Sequence, residues 1–173
     1  QILILFICVY FSSIVVSSTN IFLLDYLLGN SSFQIVFTIF CILIVVNGCN
    51  FIDGVNTSLI GYCLIISSTL YYFETSGMVV SKIIDFDNLI PVLVAIFILN
   101  FFNKLYLGDG GSYLLGLLFA VCLIDTYQIN DSMSSLFIVS LLWYPAFENL
   151  FSILRKVGYS NSPTNPDTNH LHQ

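Results

Sequence analysis

The stretch FQIVFTIFCILIVVNGCNFIDGVN, residues 33–56, decides the fold. Residues 33–46 are apolar except for Gln34 and Thr38 and carry no charge, which is the pattern of a membrane-crossing helix. The run then gives way to Asn47, Asn50, Asp53 and Asn56, spaced by three. On a helical or 3₁₀ turn that spacing keeps four side chains roughly on one face. One of these residues alone reads as a helix cap, with Asp53 or Asn56 satisfying orphan backbone amides. Four amide and carboxylate groups together exceed what a cap requires and suit a sugar or nucleotide. An apolar span ending in a polar ladder is therefore the unit to look for elsewhere.

The whole chain supports a membrane setting. It is 57% hydrophobic and 8% charged, with mean hydropathy +0.93, whereas soluble domains carry about 25% charged residues. So few charges cannot cover a soluble surface. Four Lys and Arg give no phosphate-tracking patch, which excludes nucleic acid as a partner. Cys8, Cys41, Cys49, Cys63 and Cys122 lie in or beside apolar runs without a CxxC pair and read as small packing residues. Gln1 is not an initiator methionine and no basic region precedes the first apolar run, so that run reads as a span.

The expected fold is all-α: a polytopic transmembrane helix bundle with about six spans, forming a single integral-membrane domain over residues 1–173. The spans fall at about Ile2–Ser18, Phe33–Val46, Leu59–Phe73, Leu89–Phe102, Tyr113–Ile124 and Leu136–Leu154. Alternation puts residues 47–57, 103–112 and 155–173 on one side and residues 19–32, 74–88 and 128–134 on the other. Lys104, Arg155 and Lys156 fall on the first side and Lys82 on the second. That bias turns the first side to the cytoplasm.

Two further polar segments share that side. LYLGDGGSYLLG, residues 105–116, sets Asp109 among Gly108, Gly110 and Gly111. Asp109 is open between an N-cap for the next helix and an oxygen ligand for Mg²⁺. Lys104 offers a charge for phosphate, and Tyr106 a ring for base stacking or for the membrane interface. Asn100 is open between an interhelical hydrogen bond and the site. In SPTNPDTNHLHQ, residues 162–173, Pro163 and Pro166 break any helix. His170 and His172 would face one way on an extended strand, toward phosphate or zinc; zinc would need ligands that are not nearby. Glu148 within the last span should face a protein interior, and Pro145 should kink that helix.

Taken together, these segments resemble the polyprenyl-phosphate N-acetylhexosamine-1-phosphate transferases. NGCNFIDGVN is similar to that family's NxxNFxDGxxG segment, LYLGDGGSYLLG to FMGDxGSxxLG, and PDTNHLHQ to PDxxHxHH, in the same order. WYPAFENLFSILRK and GDGGSYLLG look most like the branch that initiates surface polysaccharides such as O-antigen. Thr57 stands in place of the usual final glycine of the first segment, Asn56 where many members have Asp, and Gln173 where a further His is common. The family's DDxxD loop is absent, so a C-terminal-side portion cut at both ends is expected, inactive by itself.

The resemblance implies Mg²⁺-dependent transfer of N-acetylhexosamine 1-phosphate from a UDP-sugar to undecaprenyl phosphate, with Mn²⁺ as the alternative ion. Asp109 and Asp53 become the catalytic residues, with Asp109 the metal ligand. Asn47, Asn50, Asn56, Asn100, Lys104, Tyr106, His170 and His172 become substrate-binding residues. The implied partners are the UDP-N-acetylhexosamine, undecaprenyl phosphate and membrane lipid, with a homodimer left open. The implied location is the bacterial plasma membrane, with the site facing the cytoplasm. The rival is an ion-coupled transporter or channel subunit, which would favour acids near the bilayer midplane. A third reading is a fragment that only associates with membrane partners.

Overall fold

The computed structural model describes residues 2–130 and 133–158, the last three as backbone only. Among the described residues the chain is all helical: α1 Ile2–Ser12, α2 Phe22–Leu28, α3 Ser31–Ile52, α4 Ser58–Thr75, α5 Phe86–Phe101, α6 Gly108–Gln128 and α7 Ser135–Gly158. Helices α3, α6 and α7 are long and apolar enough to cross a membrane. α1 and α5 are apolar but shorter. α4 has 18 residues and includes the hydroxyl run Ser67–Thr69.

Three boundaries differ from the sequence reading. The first span was expected to reach Ser18, but α1 stops at Ser12 and Ser13 turns left-handed at φ 56°. Residues 12–19, SSIVVSST, explain the break. Serines compete with the helix for backbone hydrogen bonds, and β-branched residues lose rotamer freedom in one. The released segment is held from outside, with Val16 N–H donating to Thr38 Oγ1 at 2.9 Å. Second, part of the loop expected over residues 19–32 is helical as α2. Third, α3 and α6 run through sequence expected to be loop: α3 includes Asn47 and Asn50, and α6 starts at Gly108.

α3 is the central helix and packs along both α6 and α7, while α4 pairs with α5. Its start is capped by Asn30, whose side chain accepts from Ser32 N–H at 2.9 Å, a contact worth about 1 kcal/mol. Its two long crossings need small residues. A Cβ on Gly48 would lie 2.1 Å from the Pro145 carbonyl oxygen of α7, and one on Gly116 of α6 would lie 3.0 Å from Val46 Cα. Without apolar-solvent exclusion to drive association in a membrane, such close backbone approach supplies the packing.

Pro145 lacks an N–H, so the Leu141 carbonyl one turn earlier loses its helical partner. The Tyr62 hydroxyl of α4 donates to that carbonyl at 2.7 Å, which ties α4 to α7 at the proline. Glu148, one turn beyond, is fully buried as expected, and neither carboxylate oxygen meets a hydrogen-bond donor among the described residues.

The two ends of the bundle differ in chemistry. At one end, loops and helix termini satisfy each other: Ser135 Oγ donates to Thr19 O at 2.6 Å and Ser81 Oγ to Asp125 at 2.6 Å. Asp25 accepts from the Thr19 hydroxyl, Thr19 N–H and Ser18 hydroxyl, and the Thr19 hydroxyl in particular holds its carboxyl below the usual range. Residues 15–19, 79–81, 126–130 and Ser135 meet there. The opposite end gathers the termini of α3 and α5 and the starts of α4 and α6. There the Asp109 carboxylate accepts from Asn50, and the Asp53 carboxylate meets no donor among the described residues.

Candidate active site

At that second end the chain forms a cavity of about 290 Å³, open to the outside, lined by Asn50, Asp53, Gly54, Asn56, Asn100, Tyr106, Leu107, Gly108 and Asp109. Two turns make it. One follows α3 and carries Asp53 to Thr57; the other joins α5 to α6 and delivers Asp109. They are stitched together by amides. Asn50 Nδ2 donates to Asp109 Oδ1 at 3.2 Å and to the buried Ser112 Oγ at 3.0 Å. The Asn56 amide donates to Asn103 Oδ1. Asn100 accepts from Thr57 N–H and donates to Leu105 O at 2.7 Å.

The capping alternatives can now be judged. Asp109 lies in the first turn of α6 and the cap position falls to Leu107, with no side-chain cap bond. Asp53 closes α3 with its backbone N–H, which donates to Cys49 O. The first residue flanking α4 is Thr57, again without a side-chain cap bond. Neither carboxylate caps a helix. Gly108 has φ +63°, the left-handed region where glycine carries no Cβ penalty, and this turns the chain from the loop into α6.

Asp53 and Asp109 share the cavity, and no donor among the described residues reaches the Asp53 carboxylate. Partial burial, together with the negative charge of Asp109, pushes the Asp53 carboxyl up to about 6. Two acids in one cavity, with no donor among the described residues on the Asp53 carboxylate, form a site that a cation would suit. Among the described residues no trio of His, Cys, Asp or Glu could cage a metal. The donor set nonetheless fits Mg²⁺, which binds through one or two carboxylates and completes its shell with water and substrate phosphate.

Other expected site residues fall in different places. Asn47 does not line the cavity; its amide donates to Leu43 O of its own helix at 2.9 Å. α3 stays α-helical to Ile52, and each step of three residues then rotates by about 300°, so the ladder drifts around the helix. Asn50 and Asp53 reach the cavity and Asn47 falls behind them. Lys104 is exposed in the α5–α6 loop, outside the cavity lining. Tyr106 is exposed and does line it. His170 and His172 lie outside the described residues.

The structure adds three residues that brace the cavity without lining it. Asn103 takes the Asn56 amide, Ser112 joins Asn50 to the first turn of α6, and Thr57 has φ 72°. A β-branched residue is a genuine outlier there, at a cost of about 1–3 kcal/mol. The signal for Thr57 was already visible: it occupies the place where the similar segment usually ends in glycine.

Residues 1–127 match Glycosyl transferase family 4. The chain belongs to that family. Among curated proteins, this family 4 chain is similar to the probable undecaprenyl-phosphate N-acetylglucosaminyl 1-phosphate transferase of Bacillus subtilis (strain 168). The two are 26% identical over 140 residues, covering 78% of this chain and 38% of that protein. It is also similar to the decaprenyl-phosphate N-acetylglucosaminephosphotransferase of Mycolicibacterium smegmatis (strain ATCC 700084 / mc(2)155). There the identity is 25% over 150 residues, covering 74% of this chain and 37% of the relative. The family 4 chain thus spans under two fifths of the length of either relative. No solved structure matches it.

Proposed function

We propose that this family 4 protein transfers N-acetylhexosamine 1-phosphate from a UDP-sugar to undecaprenyl phosphate, initiating a lipid-linked surface polysaccharide at the cytoplasmic face of the bacterial plasma membrane. The observation that carries the reading is the single cavity that gathers Asn50, Asp53, Asn56 and Asp109 at one end of the membrane-length helices. Both relatives are named as polyprenyl-phosphate sugar-phosphate transferases. Acids at helix ends favour interfacial chemistry over a transport path, whose acids would sit near mid-membrane.

In this mechanism Asp109, with Asp53 beside it in the same cavity, would hold Mg²⁺. When bound, the ion neutralises the phosphates and stabilises charge on the transferring group. The chain's own residues do the rest. Asn50 orients the Asp109 carboxylate through the 3.2 Å hydrogen bond. Asn56 and the open backbone at Gly54 and Gly108 present polar groups to the sugar and phosphates. Tyr106 offers an exposed ring for the uracil. His170 and His172 are assigned the binding of the donor's phosphates or uridine. The lipid acceptor approaches along the apolar outer faces of the helices, so its phosphate meets the cavity at the interface.

The test is UMP release from UDP-N-acetylglucosamine by membranes containing the full-length protein, with and without undecaprenyl phosphate. Release that depends on both the lipid and Mg²⁺ is expected. No release with any UDP-N-acetylhexosamine would overturn the reading.

A further inference from the structure

We propose that Asn100 is a positioning residue that sets the separation of the two acid-bearing turns, and that it does so by holding Thr57 in a left-handed conformation. The proposal deepens the transferase reading and rests on it.

Asn100 is buried, 3% exposed, in the last turn of α5. Both ends of its amide are engaged by the chain. Its oxygen accepts the Thr57 N–H, on the turn that carries Asp53. Its nitrogen donates to Leu105 O at 2.7 Å, on the loop that leads into Asp109. One planar group therefore joins both walls of the cavity, and it needs a donor and an acceptor at once. Asparagine supplies that pair; an aliphatic residue supplies neither, and a carboxylate supplies only acceptors. With both ends occupied, Asn100 supports the cavity wall and leaves substrate contact to its neighbours.

Thr57 explains why such a support is needed. It stands at φ 72°, ψ −17°, where a β-branched residue is disfavoured. Its N–H precedes α4, where helix geometry provides no internal acceptor. The Asn100 oxygen satisfies that donor and pins the unfavourable dihedral. Without it, Thr57 would relax toward negative φ and carry Asp53 away from Asp109. The opposing loop has its own left-handed residues, Asn103 at φ 56° and Gly108 at φ 63°, types that accept this region more readily. Thr57 is the position that depends on outside help.

The coupling can be tested in the full-length protein. Turnover and KM for UDP-N-acetylglucosamine are measured per mole of monodisperse enzyme for wild type, Asn100→Ala, Thr57→Gly and the double variant. Asn100→Ala is expected to lower kcat about 100-fold, the scale of an ångström-level misplacement. Glycine adopts φ > 0 without support, so adding Thr57→Gly should restore about tenfold of that loss. Thr57→Gly alone should stay within about twofold of wild type. A wild-type kcat in Asn100→Ala would overturn the proposal. So would a defect confined to KM that Thr57→Gly does not relieve, the mark of a direct ligand. Amide exchange in the wild-type protein adds a readout independent of variant folding. The Thr57 N–H should exchange as slowly as interior α4 amides, and exchange at open-loop rates would also overturn the proposal. If wild type shows no transfer at all, the transferase reading fails, while the exchange result still decides the Asn100–Thr57 coupling.

Discussion

Replacing Asp109 by Asn should reduce transfer by about 10³-fold or more while the protein remains folded and inserted. Losing a metal-ligating carboxylate removes several kcal/mol of transition-state stabilisation, and each 1.36 kcal/mol is about tenfold in rate. The substitution keeps an oxygen at Oδ1, so the Asn50 amide retains its acceptor. The start of α6 is also preserved, since the Asp109 side chain makes no cap bond and Gly108 sets the turn. A structural explanation for the loss is therefore weak in advance. The measurement is initial rate against Mg²⁺ concentration for wild type and Asp109→Asn side by side. Equal rates with an unchanged metal dependence would remove Asp109 from the ion.

Asp53→Asn should show the opposite signs in stability and activity. In the folded protein the Asp53 carboxyl is pushed up to about 6 by burial and by Asp109. The charged form is thus less favoured than in the unfolded chain, so near neutral pH its charge opposes folding. A neutral amide removes that repulsion, and Tm should stay level or rise. Activity should fall by about two to four orders of magnitude, because the same repulsion is what a divalent cation relieves. This split is the signature of a site held at a stability cost. Thermal unfolding in detergent and turnover on one preparation test it. Loss of both together would mark Asp53 as structural, and retention of activity would exclude it from the chemistry.

Much of this arrangement was legible in the sequence because the strongest signals are of two simple kinds. Uncharged apolar runs gave the helices, and polar interruptions on alternating sides gave the two ends. The cavity joins two of the three segments singled out, since Asp53 and Asp109 each lie at the mouth of a long apolar helix. What was not legible depended on backbone geometry. The ladder from Asn47 to Asn56 was read as one face because spacing alone does not say whether α3 tightens to 3₁₀; it remains α-helical, and Asn47 turns away. The break after Ser12 was hidden within an apolar run whose serines and β-branched residues weaken a helix without changing its hydropathy much. Asn103 and Ser112 meet the opposite wall of the cavity through partners 47 and 62 residues away, Asn56 and Asn50, a relation that local pattern does not carry. Gly48 sat inside a segment read for its polar neighbours, yet it also permits α3 to meet Pro145.

The central claim is that the cavity between the two turns is the donor site, and the most direct measurement is substrate protection of a thiol placed in its wall. Gly54 lines the cavity and is exposed. With Cys8 replaced by Ser, a Gly54→Cys protein in inside-out membrane vesicles is labelled by a membrane-impermeant maleimide. Labelling is expected to slow markedly when UDP-N-acetylglucosamine and Mg²⁺ are present together, and to change little with Mg²⁺ alone or with a guanosine-linked sugar. An unchanged labelling rate under saturating UDP-sugar and Mg²⁺, in vesicles that still turn over substrate, would contradict the assignment and place the donor elsewhere.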